Sequence, residues 1–159
     1  MLAIGRPAPE FTLPDQDGRP VSLSELRDSR VLIYFYPHDD TPGCTTQACA
    51  IRDRWSEFEE AGAVVVGVSP DDVASPQRFA ARYDLPHRLL ADPARRTVEA
   101  YHAWGWRERR GERVQGVLRS TVLIDRDGTL VAWWPKVDPV EHADEVLRTI
   151  RELDASDPS

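Results

Sequence analysis

The chain is predicted to fold as an α/β protein, with a mixed central β-sheet flanked by helices. Three features carry that expectation. Val31-Leu32-Ile33-Tyr34-Phe35-Tyr36 and Ala63 to Ser69 (AVVVGVS) are short apolar runs with the β-branched and aromatic content of fully buried strands. Between them, Ala48, Ile51, Trp55 and Phe58 recur at spacings of three and four, which lays one apolar stripe along a helix. Near the C-terminus, two strand-like runs flank Arg126-Asp127-Gly128, and an amphipathic stretch follows. Strand–helix–strand units pair their strands in parallel with a right-handed crossover, and a hairpin adds antiparallel ones, so the sheet is mixed.

Phe11-Thr12-Leu13 and Val21-Ser22-Leu23 flank the turn signal Asp17-Gly18 and predict an N-terminal β-hairpin extension. Ser24 to Arg27 reads as one helical turn, and Pro37 ends the first buried strand. A helix is predicted from about Pro42 to Glu60, with Gly62 as its stop. After the second strand come a helix over about Ser75 to Tyr83, a short strand at Leu89-Leu90 and a helix over about Arg95 to Tyr101. Trp104 to Gln115 is polar, aromatic and glycine-containing, and is expected to be a loop. Ser120 to Asp125 and Thr129 to Trp134 are the strands of the last hairpin, and Val140 to Leu153 is the closing helix. No repeat or linker interrupts this order. Residues 1–153 are therefore expected to form a single domain, and the small polar residues 154–159 a frayed tail. A thioredoxin-like architecture fits this order of elements.

The 159 residues suffice for one core, and 41% hydrophobic with 30% charged residues is ordinary for a soluble globular protein. A formal net charge of −7 argues against a sequence-blind nucleic-acid binder. Lys136 is the only lysine, and the arginines are scattered. No stretch approaches the roughly 18–20 apolar residues that span a bilayer, and the first residues lack the apolar stretch of a secretory signal. The expectation is a cytoplasmic protein with no membrane partner. Its two cysteines, Cys44 and Cys49, are too few for a disulfide scaffold. A close pair in a reducing compartment points to redox chemistry or metal binding. With His38 they supply three zinc ligands where a structural site wants four, so the metal alternative is weak.

The segment from Pro37 to Cys49 lies beyond the carboxyl end of a buried strand, where open α/β sheets bind ligands. Thr41 is a good helix N-cap and Pro42 a good first helical residue. That register puts Cys44 in the first turn, where unpaired N–H groups and the helix dipole favour an anion. The anion is the thiolate, the reactive form of cysteine. Asp39 and Asp40 would oppose it if they pointed inward, and they are expected to face solvent. Five residues on an ideal helix rise about 7.5 Å and turn about 140°, so the two Cα atoms stand roughly 8–9 Å apart, beyond the disulfide limit of about 7 Å. Cys44 and Cys49 can both lie on a formed helix, or be bonded, but not both at once. A redox cycle built on this pair implies that the first turns unwind. The absence of Cys-x-x-Cys argues against a thioredoxin-style disulfide reductase. Taken singly, either cysteine also reads as a small core residue, and Cys49 does so equally well.

Tyr34-Phe35-Tyr36-Pro37 followed by Asp39-Asp40-Thr41-Pro42-Gly43-Cys44-Thr45 resembles the active-site signature of peroxiredoxins. Pro37, Thr41 and Cys44 meet the pattern Pro-x-x-x-Thr-x-x-Cys. A second cysteine five residues on is similar to the bacterioferritin comigratory protein, or peroxiredoxin Q, branch. Ala8-Pro9-Glu10-Phe11 with Leu13-Pro14-Asp15 resembles that branch's amino terminus, and Leu118 to Asp125 its distal arginine strand.

The resemblance implies a thiol-dependent peroxidase acting on hydrogen peroxide or organic hydroperoxides, in antioxidant defence and redox homeostasis. In it, Cys44 is the peroxidatic nucleophile and becomes a sulfenic acid. Thr41 hydrogen-bonds the thiolate and the peroxide, Arg119 stabilises both, and Pro37 shields the site from water. Cys49 resolves the sulfenic acid to an intramolecular disulfide, and a thioredoxin-like reductant restores both thiols. No metal or organic cofactor is implied. The need for Arg119 is physical: going from a thiol pKa of about 8.5 to about 6 raises the ionised fraction at pH 7 only by a factor of about 30. A fast reaction also needs charge stabilised on the leaving oxygen. Without the motif, Arg119 reads as a surface ion pair and Thr41 as a helix cap. An intramolecular cysteine pair needs no second copy, so a monomer is expected. His38 stands where this branch often has lysine and is expected to be a solvated loop residue. Trp104-Gly105-Trp106 and Trp133-Trp134 are expected to pack around the loop and the sheet edge, with the exposed partners shaping substrate access. The alternative function is a peroxide-sensing or holdase module using the same cysteine switch. A catalytically silent binding domain is disfavoured by the retention of Pro37, Thr41, Cys44 and Arg119.

Overall fold

The structure, a computed structural model, describes residues 2–39 and 41–156. Strands β1 (Thr12–Pro14) and β2 (Pro20–Ser22) pair antiparallel as the predicted N-terminal hairpin. Asp15 turns it: its Oδ1 accepts the N–H groups of Asp17 (2.9 Å) and Arg19 (3.0 Å), and Gly18 supplies the left-handed residue at φ +77°. A short 3-10 turn, Leu23–Leu26, leads into β3 (Arg30–Phe35). The chain continues through α1 (Pro42–Asp53), α2 (Trp55–Glu60), β4 (Ala63–Ser69), α3 (Ala74–Tyr83), β5 (Arg88–Ala91) and α4 (Arg96–Ala100). It ends with β6 (Trp104–Arg109), β7 (Glu112–Val117), β8 (Ser120–Ile124), β9 (Leu130–Trp134) and α5 (His142–Ser156).

The central sheet has the order β5-β4-β3-β8-β9. β3, β4 and β5 run parallel, and β8 and β9 add antiparallel pairs, which is the mixed sheet expected. β3 is buried along its whole length, and its side chains alternate between two cores. Val31, Ile33 and Phe35 join Val66, Val68, Val98 and Tyr101 on the face that carries α4 and the N-terminal hairpin. Leu32, Tyr34 and Tyr36 join Ala48, Ile51, Phe58, Phe79 and Leu147 on the face that carries α1, α2, α3 and α5. Gly67 on β4 lies under the Tyr34 ring: a Cβ there would sit 2.7 Å from Tyr34 Cζ, so only glycine lets the ring lie flat on the sheet. No helix among the described residues is long and apolar enough to cross a membrane.

Three expectations need correction. The helix expected from Pro42 to Glu60 is two helices broken at Arg54, whose backbone sits at φ −115°, ψ 22°. There the N–H of Arg54 bonds the carbonyl of Ile51, and its guanidinium is drawn to Glu57 and Asp144. The loop expected over Trp104 to Gln115 is the β6–β7 hairpin, turned by Arg110 (φ 53°) and Gly111 (φ 81°). Both turn residues have the left-handed backbone of a type I′ turn, but arginine is not the Asn or Asp that announces one in a sequence. The frayed tail was expected from residue 154; instead α5 continues to Ser156, and Asp154 pairs with the buried Arg30 of β3. Residues 157–159 lie outside the described residues.

Two buried histidines, His87 and His142, pack against the Tyr34 ring. His87 Nε2 meets the Tyr34 hydroxyl at 2.7 Å, and His142 Nε2 meets Thr121 Oγ1 at 2.8 Å. Burial lowers the pKa of each to about 3, and the Arg119 charge adds to the effect at His142. A histidine held neutral in the fold, but free to protonate near pH 6.5 when unfolded, contributes stability above that pH and loses it as the pH falls toward 3. Urea unfolding at pH 7 and pH 5 is expected to show a loss of about 2 kcal/mol per histidine. His87→Gln is expected to remove about half of the histidine-dependent part of that difference; an unchanged pH dependence in this variant would show that His87 does not titrate on unfolding.

Candidate active site

The site forms where β3 ends. The antiparallel register pairs Phe35 with Ser120, so the start of β8 lies beside the point from which the Cys44 loop leaves the sheet. That register brings Arg119 to a residue 75 positions away in the chain. Thr41 occupies the N-cap position of α1 with extended backbone (φ −85°, ψ 156°), and Pro42 is the first helical residue, as predicted. Cys44 is thus the third helical residue, in a turn whose N–H groups have no intrahelical acceptor. Its thiol is free and 1% exposed, and it packs in the apolar cluster with Tyr36 and Ala48.

Arg119 Nη2 lies 3.4 Å from Cys44 Sγ, and Nη1 donates to Gln47 Oε1 at 2.8 Å. Gln47 is fully buried, three residues after Cys44 and therefore on the same face of α1. No carboxylate pairs with Arg119 among the described residues, so its charge is held by a neutral amide and directed at sulfur. The Arg119 carbonyl accepts the N–H of Val137 at 3.1 Å, which fixes the backbone behind the guanidinium. Gly43 completes the fit, because a Cβ there would stand 3.1 Å from Arg119 Nη2.

Thr41 does not cap α1 with its side chain; its hydroxyl donates to the His38 carbonyl at 3.1 Å. The hydroxyl lone pairs are left available. Thr41, Pro37 and Arg119 line one cavity of about 380 Å³. Its far side is the β6–β7 hairpin, with Trp104 and Arg107, together with Arg95. Trp104 is half-buried and lies under the Arg95 guanidinium at 4.2 Å, whereas Trp106 is 57% exposed and does not line the cavity. Cys49 is half-buried on α1 with a free thiol.

Asp39, expected to face solvent, is turned inward. The Tyr36 hydroxyl donates to its Oδ1 at 2.5 Å, and its own N–H donates to Asp71 Oδ2 at 2.8 Å. Burial pushes its carboxyl up to about 6, and the Asp71 carboxylate adds to that rise against the Tyr36 hydrogen bond. Asp40 lies outside the described residues. His38 is an exposed loop residue, as expected, and meets Asp71 Oδ1 at 3.2 Å.

Cys44 and Arg119 thus come together, with Thr41 and Pro37 beside them on the cavity wall. Reasoning from sequence missed Gln47, whose signal was a polar residue on the apolar stripe, one turn from Cys44. It also missed Arg107, which sits on a hairpin expected to be a loop, and Arg95, which precedes α4 and carries no local signal.

The AhpC/TSA family profile matches residues 4–133. Peroxiredoxin Bcp of Bacillus subtilis is 39% identical over 152 residues, covering 96% of this chain and 97% of that protein. Peroxiredoxin Bcp of Escherichia coli K12 is 40% identical over 151 residues, covering 95% and 97%. Among solved structures, peroxiredoxin Q of Xylella fastidiosa, as a cysteine-to-serine mutant, superposes with a TM-score of 0.91 at 28% identity, over 97% of this chain and 98% of that one. The bacterioferritin comigratory protein of Xanthomonas campestris, described for its alkyl peroxide reduction, gives 0.84 at 33% identity, over 89% and 90%. The chain belongs to the AhpC/TSA family, with the thioredoxin-like peroxiredoxin fold. Within it, the relatives are peroxiredoxins of the Bcp or peroxiredoxin Q kind, the branch that the Cys44 motif resembles.

The neutrality of Gln47 is open to test. Gln47→Glu keeps the hydrogen bond to Arg119 but sets a carboxylate against its charge. Alkylation of Cys44 by iodoacetamide at pH 7 is expected to slow by roughly three- to tenfold, as like charge disfavours the thiolate. An unchanged rate would show that the charge at position 47 does not reach the sulfur.

Proposed function

We propose that this chain is a thiol peroxidase that reduces hydrogen peroxide and organic hydroperoxides through Cys44, with Cys49 as resolving cysteine and a thioredoxin-like protein as reductant. The observation that carries this reading is the Arg119 guanidinium, 3.4 Å from a buried first-turn thiol and free of any carboxylate partner among the described residues. The relatives named peroxiredoxin support the peroxidase chemistry.

Peroxide enters the cavity beside Pro37. The Thr41 hydroxyl, its hydrogen engaged by the His38 carbonyl, accepts the peroxide O–H. The Cys44 thiolate attacks the nearer oxygen; the S–O bond forms as the O–O bond breaks. Arg119 stabilises the negative charge that develops on the departing oxygen, which takes a proton and leaves as water or an alcohol. Cys44 is then a sulfenic acid, and Pro37 limits water around it. The Cys49 thiol attacks the sulfenic sulfur, water departs, and a disulfide joins the two. Both cysteines lie on α1, so this step requires the first turns of α1 to unwind. The Thr41 side chain makes no cap bond to hold that end, and it begins with Pro42-Gly43, so what unwinding must break is the burial of Cys44 and the Arg119 contacts to Cys44 and Gln47 rather than a capped helix start. A dithiol reductant then restores both thiols. The cycle needs no second copy of the chain and suits a monomer in the reducing cytoplasm.

Peroxide consumption is the test, with thioredoxin and its reductase supplied. Wild type is expected to turn over, Cys44→Ser to be inactive, and Cys49→Ser to give one burst and stall. Continued cycling by Cys49→Ser would mean that the reductant attacks the sulfenic acid directly. A wild type no faster than a free thiol would sink the peroxidase reading.

A further inference from the structure

The cavity that reaches Arg119 is larger and more positively charged than hydrogen peroxide requires. A water takes about 30 Å³ in the liquid, and hydrogen peroxide, with one more oxygen, needs less than twice that. The cavity has about 380 Å³, within the size range of sites that enclose organic ligands. Among the described residues it is lined by three arginines, Arg95, Arg107 and Arg119, and by no aspartate or glutamate. The chain as a whole is the reverse, with 27 acidic residues against 20 basic ones.

Nor are these charges satisfied. Among the described residues, none of the three arginines pairs with a carboxylate. Arg107 donates to the Val117 carbonyl at 3.2 Å, and Arg95 lies on the Trp104 ring. Arg95 also holds a left-handed backbone at φ 61°, a conformation that costs a non-glycine residue free energy and clusters at functional sites. Arg95 and Arg107 are half-buried, so both groups are partly desolvated and prepared for an anion. Val114, Val117 and Pro37 supply apolar wall in the same cavity.

We propose that Arg95 and Arg107 form an anion subsite, and that the preferred substrate is an organic hydroperoxide carrying a carboxylate. The hydroperoxide lies at the Arg119 and Thr41 end, the hydrocarbon part runs along the apolar wall, and the carboxylate meets the guanidinium groups of the hairpin side. This rests on the peroxidase reading of the same cavity. It makes the β6–β7 hairpin a specificity element.

The test compares cumene hydroperoxide with its para-carboxylate derivative, each by kcat/KM with the reductant in excess. Wild type is expected to favour the carboxylated compound on the order of tenfold at low ionic strength, with the preference shrinking as salt is added. Arg95→Gln together with Arg107→Gln is expected to bring the ratio close to one. Arg95→Lys together with Arg107→Lys retains most of it, because the charge is kept. Being a ratio within one protein, the readout is insensitive to general loss of activity or fold. A wild-type ratio of one or below, or a ratio unchanged by the glutamine substitutions, overturns the subsite. Failure of wild type to consume hydrogen peroxide itself would instead count against the underlying peroxidase reading.

Discussion

β3 is the strand on which the rest of the molecule depends. It is buried on both faces and paired on both edges, parallel to β4 and antiparallel to β8. Its alternation divides the apolar residues into two cores, one under α4 and the N-terminal hairpin, the other under α1, α2, α3 and α5. Its carboxyl end sets the point from which the Cys44 segment leaves the sheet. Its pairing with β8 places Arg119 opposite that point. A slip of one residue in the β3–β8 register would turn the inward set of side chains outward and take Arg119 away from Cys44.

The charge around the thiol is set by a few buried groups. Arg119 is held by the neutral Gln47 rather than by a carboxylate. The turned-in carboxyl of Asp39 is pushed up to about 6 by burial and bonded by the Tyr36 hydroxyl. The two buried histidines behind the site are held neutral, so they add no charge of their own. In a partly desolvated pocket each such charge acts at longer range than it would in water, which is why single substitutions there are informative.

The helix that presents Cys44 combines a firm end with a weak one. Ala48 and Ile51 are fully buried against the sheet and anchor the middle of α1. The first turn has proline and glycine, no side-chain cap and a cavity beside it. In the proposed cycle the anchored part stays in place while the first turn unwinds to let Cys44 reach Cys49. In that proposal the same first turn serves the thiolate when formed and yields when the disulfide closes.

Elements with a local signal were legible in the chain of residues alone. Buried strands β3 and β4 announced themselves by continuous apolar runs, α1 by its spacing and its Thr41-Pro42 start, and the Asp17-Gly18 hairpin by its turn residues. The motif around Cys44 likewise singled out Pro37, Thr41 and the thiol from neighbouring residues, and a second resemblance, over Leu118 to Asp125, singled out Arg119 as a candidate; that Arg119 lies beside Cys44 is set by the β3–β8 register. Tertiary structure alone decided what depends on contacts between distant segments. Asp39 turned inward because Tyr36 and Asp71 were waiting for it. Arg54 broke the helix where Glu57 and Asp144 drew its side chain. The β6–β7 hairpin formed despite polar strands and an Arg110-Gly111 turn, and only its folded position put Arg107 and Trp104, with Arg95, across the cavity from Arg119. Local periodicity records which face of an element is buried; which partner lies across a cavity is set by sheet register and crossover, and these are properties of the whole chain.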